Sequence, residues 1–359
     1  MRLRKNNKIS LSLYVQTHCI SFLQLFPMKR LVAGVEIDGI VTTLALVDEF
    51  GKIYAKGSFP TSDHKEFKNY VARIKDEIDE LSGRLDIPHN IAAVGIGAPN
   101  SNYHTGEIEN AANLMWKGKL PLSQQLSSLF NNKPVVVTND ANAAAIGEMI
   151  YGGAKGMKHF VVITLGTGLG SGIVVDGNVL YGHDGLAGEV GHIIVETRDG
   201  RQCGCGRKGC LERYVSSKGV RYTALELLAG SNENSKLRDI PADELTSRDI
   251  AYAAKSGDPI AKKTFEITGE YLGQALANLV AVSSPEAIFL CGGVANAGDL
   301  IMTPTKRAME KNILPLWKGK VKLTFSSLDY ENAPILGAAA LAIKEIAKKD
   351  VVVARRKVF

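Results

Sequence analysis

Twice along this chain a run of β-branched residues turns back on itself, and each time helical sequence and a further short apolar strand follow. The first round is LVAGVEI (31–37), IVTTLALV (40–47) and a third strand after the turn in DEFGKIYAKGSF. The second is FVVITLG (160–166), SGIVV (171–175), a tight turn at Asp176-Gly177, then VLYG (179–182). An antiparallel meander that leads into alternating helices and buried strands predicts an α/β layer architecture. With 359 residues, 45% of them hydrophobic, the chain is long enough for two cores with a cleft between them.

Between the meanders, Phe67, Tyr70, Val71, Ile74, Ile78 and Leu81 follow helical spacing up to Ser82-Gly83. IAAVGIGAP (91–99) and KPVVVT (133–138) read as buried strands, and 141–149 as an alanine-rich helix. From 215 to 282 the sequence is mostly helical around a polar insert at 231–244. Strands at 287–290 and 321–325 follow, and then a last helix over 336–348. The expected division is a first lobe over 28–140, completed by helix 336–348, a second over 141–335, and a basic tail at 349–359. Residues 1–27 read as a dispensable extension ahead of MKRLVAGVEIDG, too interrupted by polar residues for a signal peptide or membrane span.

The net charge of +6 does not describe a binding face. Arg2, Arg4, Lys5 and Lys8 precede Met28 with no acid, and five bases lie from Lys348 onward, so the body between is slightly acidic. Neither a nucleic-acid partner nor a membrane is expected. Cys19 and Cys291 stand apart while three cysteines fall within eight residues, which is no disulfide framework and suggests a reducing, cytoplasmic setting.

Those three cysteines carry the most specific signal. His192, Cys203, Cys205 and Cys210 have the spacing H-x10-C-x-C-x4-C, with glycines at 204, 206 and 209. That set suits a tetrahedral zinc, and four protein ligands make such a site structural. The competing readings are free thiols or a redox pair. Asn139-Asp140 ends a strand and starts a helix, where ligands bind in open α/β sheets; either residue could equally be a helix cap. LGTGLGSG (165–172) lets glycine amides approach phosphate oxygens, or is simply a tight turn.

GIGAPN (95–100), NLMWKG (113–118), TNDANAAAIGE (138–148), ITLGTGLGSGIV (163–174), GHDGLAGEVGH (182–192) and CGCGRKGCLE (203–212) closely resemble the ROK family of bacterial sugar kinases and sugar-responsive repressors. GAPN, NL-WKG and GHDGLAGE are most similar to its glucokinases. The resemblance runs from about Met28 to Lys348. It implies a two-domain actin-like ATPase (ribonuclease H-like) fold with a cleft between lobes, a homodimer, and hexose and magnesium-ATP as ligands. Asp140 matches the general base, while Asn139, Glu189, His192 and Glu212 match residues that bond the sugar hydroxyls. Gly97 and Asn113 fall in loops lining the same pocket, and His192 would bridge zinc and sugar.

On the phosphate side, Gly166, Thr167 and Gly168 match the second phosphate loop, and Gly292-Gly293 in CGGVANAGDL resembles the adenosine motif. The first loop departs from the family's G-x-D-x-G-G-T: here Glu36 replaces the aspartate, Asp38 a glycine and Ile40 the threonine, with Gly39 kept. Glu36 could still hold magnesium through water, and Asp38 with Thr42 preserves a D-x3-T spacing two residues later, a shift that would move the pair off the expected turn. The expectation is a hexose kinase making the 6-phosphate, glucose first. The alternatives are an N-acetylhexosamine kinase or a sugar-binding protein with impaired phosphate chemistry. A repressor is disfavoured, because the residues before Met28 are too few for a winged helix-turn-helix.

Overall fold

A computed structural model of the chain describes residues 28–356 other than 112 and 330. The expected extension at 1–27 and the last three residues of the basic tail lie outside the described residues. Among the described residues, no helix is long and apolar enough to cross a membrane.

β1 (Lys29–Ile37), β2 (Val41–Val47) and β3 (Ile53–Pro60) form the first antiparallel meander. α1 (Phe67–Gly83) buries its apolar stripe, Tyr70, Val71, Ile74, Ile78 and Leu81, against this sheet. β4 (His89–Gly97) returns parallel to β1. A small sheet of β5 (Ser101–Asn102), β6 (Glu107–Glu109) and β7 (Lys119–Leu120) follows, then α2 (Leu122–Leu129) and β8 (Val135–Thr138), parallel to β4. The sheet order is β3-β2-β1-β4-β8. α3 (Asp140–Ile150) leads out of it.

The second meander is β9 (Phe160–Leu165), β10 (Leu169–Val175) and β11 (Asn178–Val179). α4 (Glu212–Val215), α5 (Ser217–Gly230), α6 (Ser247–Lys255) and α7 (Pro259–Ser283) come next, then β12 (Ala287–Cys291), α8 (Asp299–Asn312), β13 (Lys322–Phe325) and α9 (Ala333–Arg356). The sheet order is β11-β10-β9-β12-β13. Strand for strand this repeats the first sheet, so the coarse repetition in the sequence is an architectural one.

Two helices form the seam between the sheets. α9 lies directly on β1 and β4: a Cβ on Gly34 would stand 2.4 Å from the Ile335 carbonyl oxygen, and one on Gly95 only 1.9 Å from that of Ala338. On its other side Gly337 meets α3, with a Cβ there 2.5 Å from the Ala143 oxygen. α3 in turn lies on the second sheet, where Gly172 of β10 faces the Ala141 carbonyl at 2.6 Å from its would-be Cβ. Glycine supplies this backbone-to-backbone packing because any side chain would hold the layers apart.

Some boundaries move. α9 is longer at both ends than the expected 336–348, and it takes in most of the segment expected as a tail. The expected lobe boundary at 140/141 falls within the first turn of α3, which runs unbroken across it. The β5-β6-β7 sheet was not expected at all.

Candidate active site

Register brings the carboxyl ends of the first sheet into one row. Glu36 of β1 stands beside Gly97 of β4, and Gly97 beside Thr138 of β8. The chain then passes through Asn139 into α3. In the second sheet Thr164 stands beside Cys291, after which the chain turns at Gly166–Gly168 and at Gly292-Gly293. Both rows open onto one cleft of about 770 Å³. Glu36, Asn113, Asn139, Asp140, Gly166, Thr167, Gly168, Glu189, His192, Glu212, Gly292 and Gly293 all line it. This is the position at which open α/β sheets bind ligands.

Hydrogen bonds show which of the two residues caps the helix. Asn139 is the N-cap: its Oδ1 accepts from the backbone N–H of Ala141 at 2.9 Å and of Asn142 at 3.1 Å. That leaves its amide NH2 for the cleft. Asp140 is the first helical residue. Its Oδ1 accepts from Ala141 N at 2.8 Å, and Oδ2 has no protein donor among the described residues. Its carboxylate is exposed on the cleft floor, yet the surrounding walls strip it of bulk water, and this raises its pKa before the Ala141 N–H pulls it back.

Asp140 is also electrostatically central. Glu36 is pushed up to about 7, first by burial and then by the charges of Asp140 and Asp38. Glu189 is raised by burial, with Asp140 and Glu212 adding to it and His192 opposing. Acids of raised pKa facing one cleft are the arrangement from which general bases are drawn. The walls are held by specific bonds. Glu212 Oε2 accepts from Leu169 N at 3.1 Å, and the Ser171 hydroxyl donates to the Gly188 carbonyl, fixing the loop that carries Glu189.

His192, Cys203, Cys205 and Cys210 converge, with their ligand atoms all within 4.8 Å of one another. Cys203 Sγ lies 3.8 Å from His192 Nδ1 and Cys205 Sγ 3.6 Å from Cys210 Sγ. Those separations suit four ligands around one cation. Gly206 and Gly209, at φ +88° and +78°, allow the hairpin that folds the thiols inward. The Arg207 backbone N–H, with its side chain, draws Cys205 down to about 6, whereas burial pushes Cys210 up. The donor set therefore fits a zinc ion, which would hold the reluctant thiolate ionised. His192 turns Nδ1 to this cluster and Nε2 toward the cleft, 4.0 Å from Glu189 Oε2.

Two expected site residues, Gly39 of the first loop and Gly97 of β4, stand outside the cleft lining. Gly39 does not line the cleft, since it packs on the Asn113 loop, where a Cβ would lie 2.3 Å from the Asn113 carbonyl oxygen. Gly97 is likewise set back, facing Ala143 and the Asp140 backbone. Thr42 cannot restore a phosphate-binding hydroxyl, because it is buried and bonded to the hydroxyls of Thr61 at 2.8 Å and Tyr70 at 2.6 Å. Asp38 turns its own carboxylate onto the Gly39 N–H. No local motif points to Lys218, which also lines the cleft. Its place depends on a long-range bond, from Ser217 N to the Gly166 carbonyl at 2.8 Å.

Known proteins resemble this chain in sequence and fold. The chain is 37% identical to the glucokinase of Halalkalibacterium halodurans over 289 residues, covering 80% of this chain and 87% of that protein. It is 34% identical to the glucokinase of Streptomyces coelicolor over 318 residues, covering 87% and 97%. The crystal structure of a ROK family glucokinase from Streptomyces griseus in complex with glucose and AMPPNP superposes with a TM-score of 0.73 at 32% identity, covering 88% of this chain and 99% of that one. The ROK family model matches residues 32–345, and with this fold, an actin-like ATPase fold, the chain belongs to the ROK family.

Proposed function

We propose that this chain transfers the γ-phosphoryl group of ATP to the 6-hydroxyl of a free hexose, converting glucose to glucose 6-phosphate in the cytoplasm. The observation that carries this reading is Asp140, which faces Glu189, His192 and Glu212 within the same cleft that Gly166–Gly168 and Gly292-Gly293 line. A carboxylate between a set of hydroxyl-binding groups and glycine turns suited to phosphate can deprotonate one hydroxyl as it attacks. Oδ2 of Asp140 takes that proton, because Oδ1 already accepts from Ala141. The raised pKa brings Asp140 nearer to neutral pH, which makes it a stronger base.

The neutral polyol is held by directional partners. The Asn139 amide donates, Glu189 and the free oxygen of Glu212 accept, and His192 Nε2 completes the set. Asn113 closes the pocket from the first lobe. Zinc on His192, Cys203, Cys205 and Cys210 would be structural and would fix the imidazole. Magnesium would arrive with ATP and neutralise its phosphates, and Glu36 is the residue that would hold it through water. The lobes divide near α3, with α9 completing the first, and the working form is a homodimer.

A second reading, a sugar-binding protein with impaired transfer, is favoured by Ile40, which is 74% exposed at the turn where the family places a hydroxyl. Both readings meet one test. ADP release is followed with magnesium-ATP and glucose, mannose, N-acetylglucosamine, N-acetylmannosamine or fructose, beside calorimetry of each sugar. Turnover on glucose supports the kinase; turnover mainly on an N-acetylhexosamine changes the substrate; binding without turnover selects the second reading.

A further inference from the structure

Four carboxylates line the cleft, Glu36, Asp140, Glu189 and Glu212, against a single lysine or arginine among the described residues. That residue is Lys218. Building on the kinase reading above, we propose that Lys218 is a ligand of the nucleotide phosphates and supplies the positive charge that offsets the acid of this chain's first phosphate loop.

The backbone at Lys218 is fixed from both sides. Ser217 N donates to the Gly166 carbonyl at 2.8 Å, which ties the start of α5 to the 166–168 turn. Gly219 N donates to the Ser216 hydroxyl at 3.2 Å. The side chain, by contrast, is exposed, and among the described residues it makes no ion pair or hydrogen bond. The group it influences is the Tyr222 phenol one turn further along the helix. A flexible stem with three ammonium donors, anchored beside a glycine turn and left unpaired in an acidic cleft, is suited to a mobile polyanion rather than to a structural partner.

The first loop explains why such a charge is needed. A family glycine is replaced by Asp38 and the threonine by Ile40, while the nearest hydroxyl, Thr42, is bonded within the core. Asp38 stands just outside the cleft lining but its charge acts on Glu36 and Asp140 within it, so an entering triphosphate meets added negative charge and loses one donor. A cation on the opposite wall, within the same 770 Å³ space, restores complementarity.

The test is calorimetry of magnesium-ATP, magnesium-ADP, adenosine and glucose on wild type, K218M and K218R, with ADP-release kinetics alongside. K218M is expected to weaken ATP and ADP binding about tenfold, or about 1.4 kcal/mol, and to raise KM for ATP similarly. Adenosine and glucose affinities and the melting temperature should stay unchanged, and K218R should recover most of the loss. An equal loss for adenosine would reassign Lys218 to the nucleoside and overturn the proposal, as would unchanged ATP and ADP binding. A wild type that binds ATP yet phosphorylates no hexose sinks the kinase reading alone, and the ATP and ADP titrations still decide Lys218.

Discussion

Replacing Glu36 with Gln should make the protein more stable in alkaline solution and far less so in acid. The Glu36 carboxylate faces the cleft with no hydrogen-bond or ion-pair partner among the described residues, and burial, then Asp140 and Asp38, raises it from 4.5 to about 7. A carboxyl held that far up corresponds to about 3 kcal/mol of cost for the ionised form. The folded state binds this proton more tightly than the unfolded chain does. Glu36's favourable contribution is therefore complete below pH 4.5, is lost as the pH rises to 7, and is absent above it. Glutamine never ionises, so E36Q escapes that loss. At roughly 2 °C per kcal/mol for a chain of this size, its melting temperature should exceed that of wild type by about 6 °C at pH 8 and by only about 2 °C at pH 5. The assay is thermal melting of both proteins across pH 5–8 without magnesium or nucleotide. A constant offset at every pH, or none at pH 8, would refute the reasoning, since only a proton bound differently by the two states gives a difference that grows through this window.

Asp140→Asn should lower kcat by about 10²–10⁴ while calorimetric sugar affinity stays within a few-fold; near-normal turnover would remove Asp140 as the base. Chelation, or Cys205→Ser, should lower melting temperature and sugar affinity together, because His192 belongs to both the thiol cluster and the cleft; unchanged binding after loss of metal would break that link. Gly95→Ala puts a methyl group 1.9 Å from the Ala338 carbonyl oxygen, so about 3 kcal/mol of destabilisation is expected. A thermal melt within a degree of wild type would show that α9 can shift away from β4.

What the sequence revealed follows the range of the interactions involved. The His/Cys cluster was legible because the three thiols lie within eight residues and glycines turn the chain between them. Asn139 and Asp140 were not separable locally, since either side chain can cap a helix; the distinction rests on which oxygen reaches Asn142 N. Gly39 and Gly97 were misplaced because their surroundings are set by packing, one against the Asn113 loop and the other against α3. Strands of two or three residues, β5 to β7, are too short to display a period. The end of α9 was read too early, as Val351–Val353 are weak helix formers.

The sugar and phosphate halves of the cleft also differ in how they encode recognition. In the proposed reading hydroxyls are met by side chains, so Asn139, Glu189, His192 and Glu212 would state their chemistry in the sequence. Phosphates are met largely by backbone N–H groups presented at turns, and a backbone donor survives a change of side chain. The first loop's three substitutions therefore do not remove its main-chain geometry: Asp38 N still donates to the Val41 carbonyl at 3.2 Å and closes the turn between β1 and β2. What Asp38 alters is charge and what Ile40 removes is one side-chain donor, and charge can be balanced from elsewhere in the cleft. On that argument, the kinase activity of this chain depends less on how far its first loop departs from the family's wording than on whether the cation on the opposite wall is present.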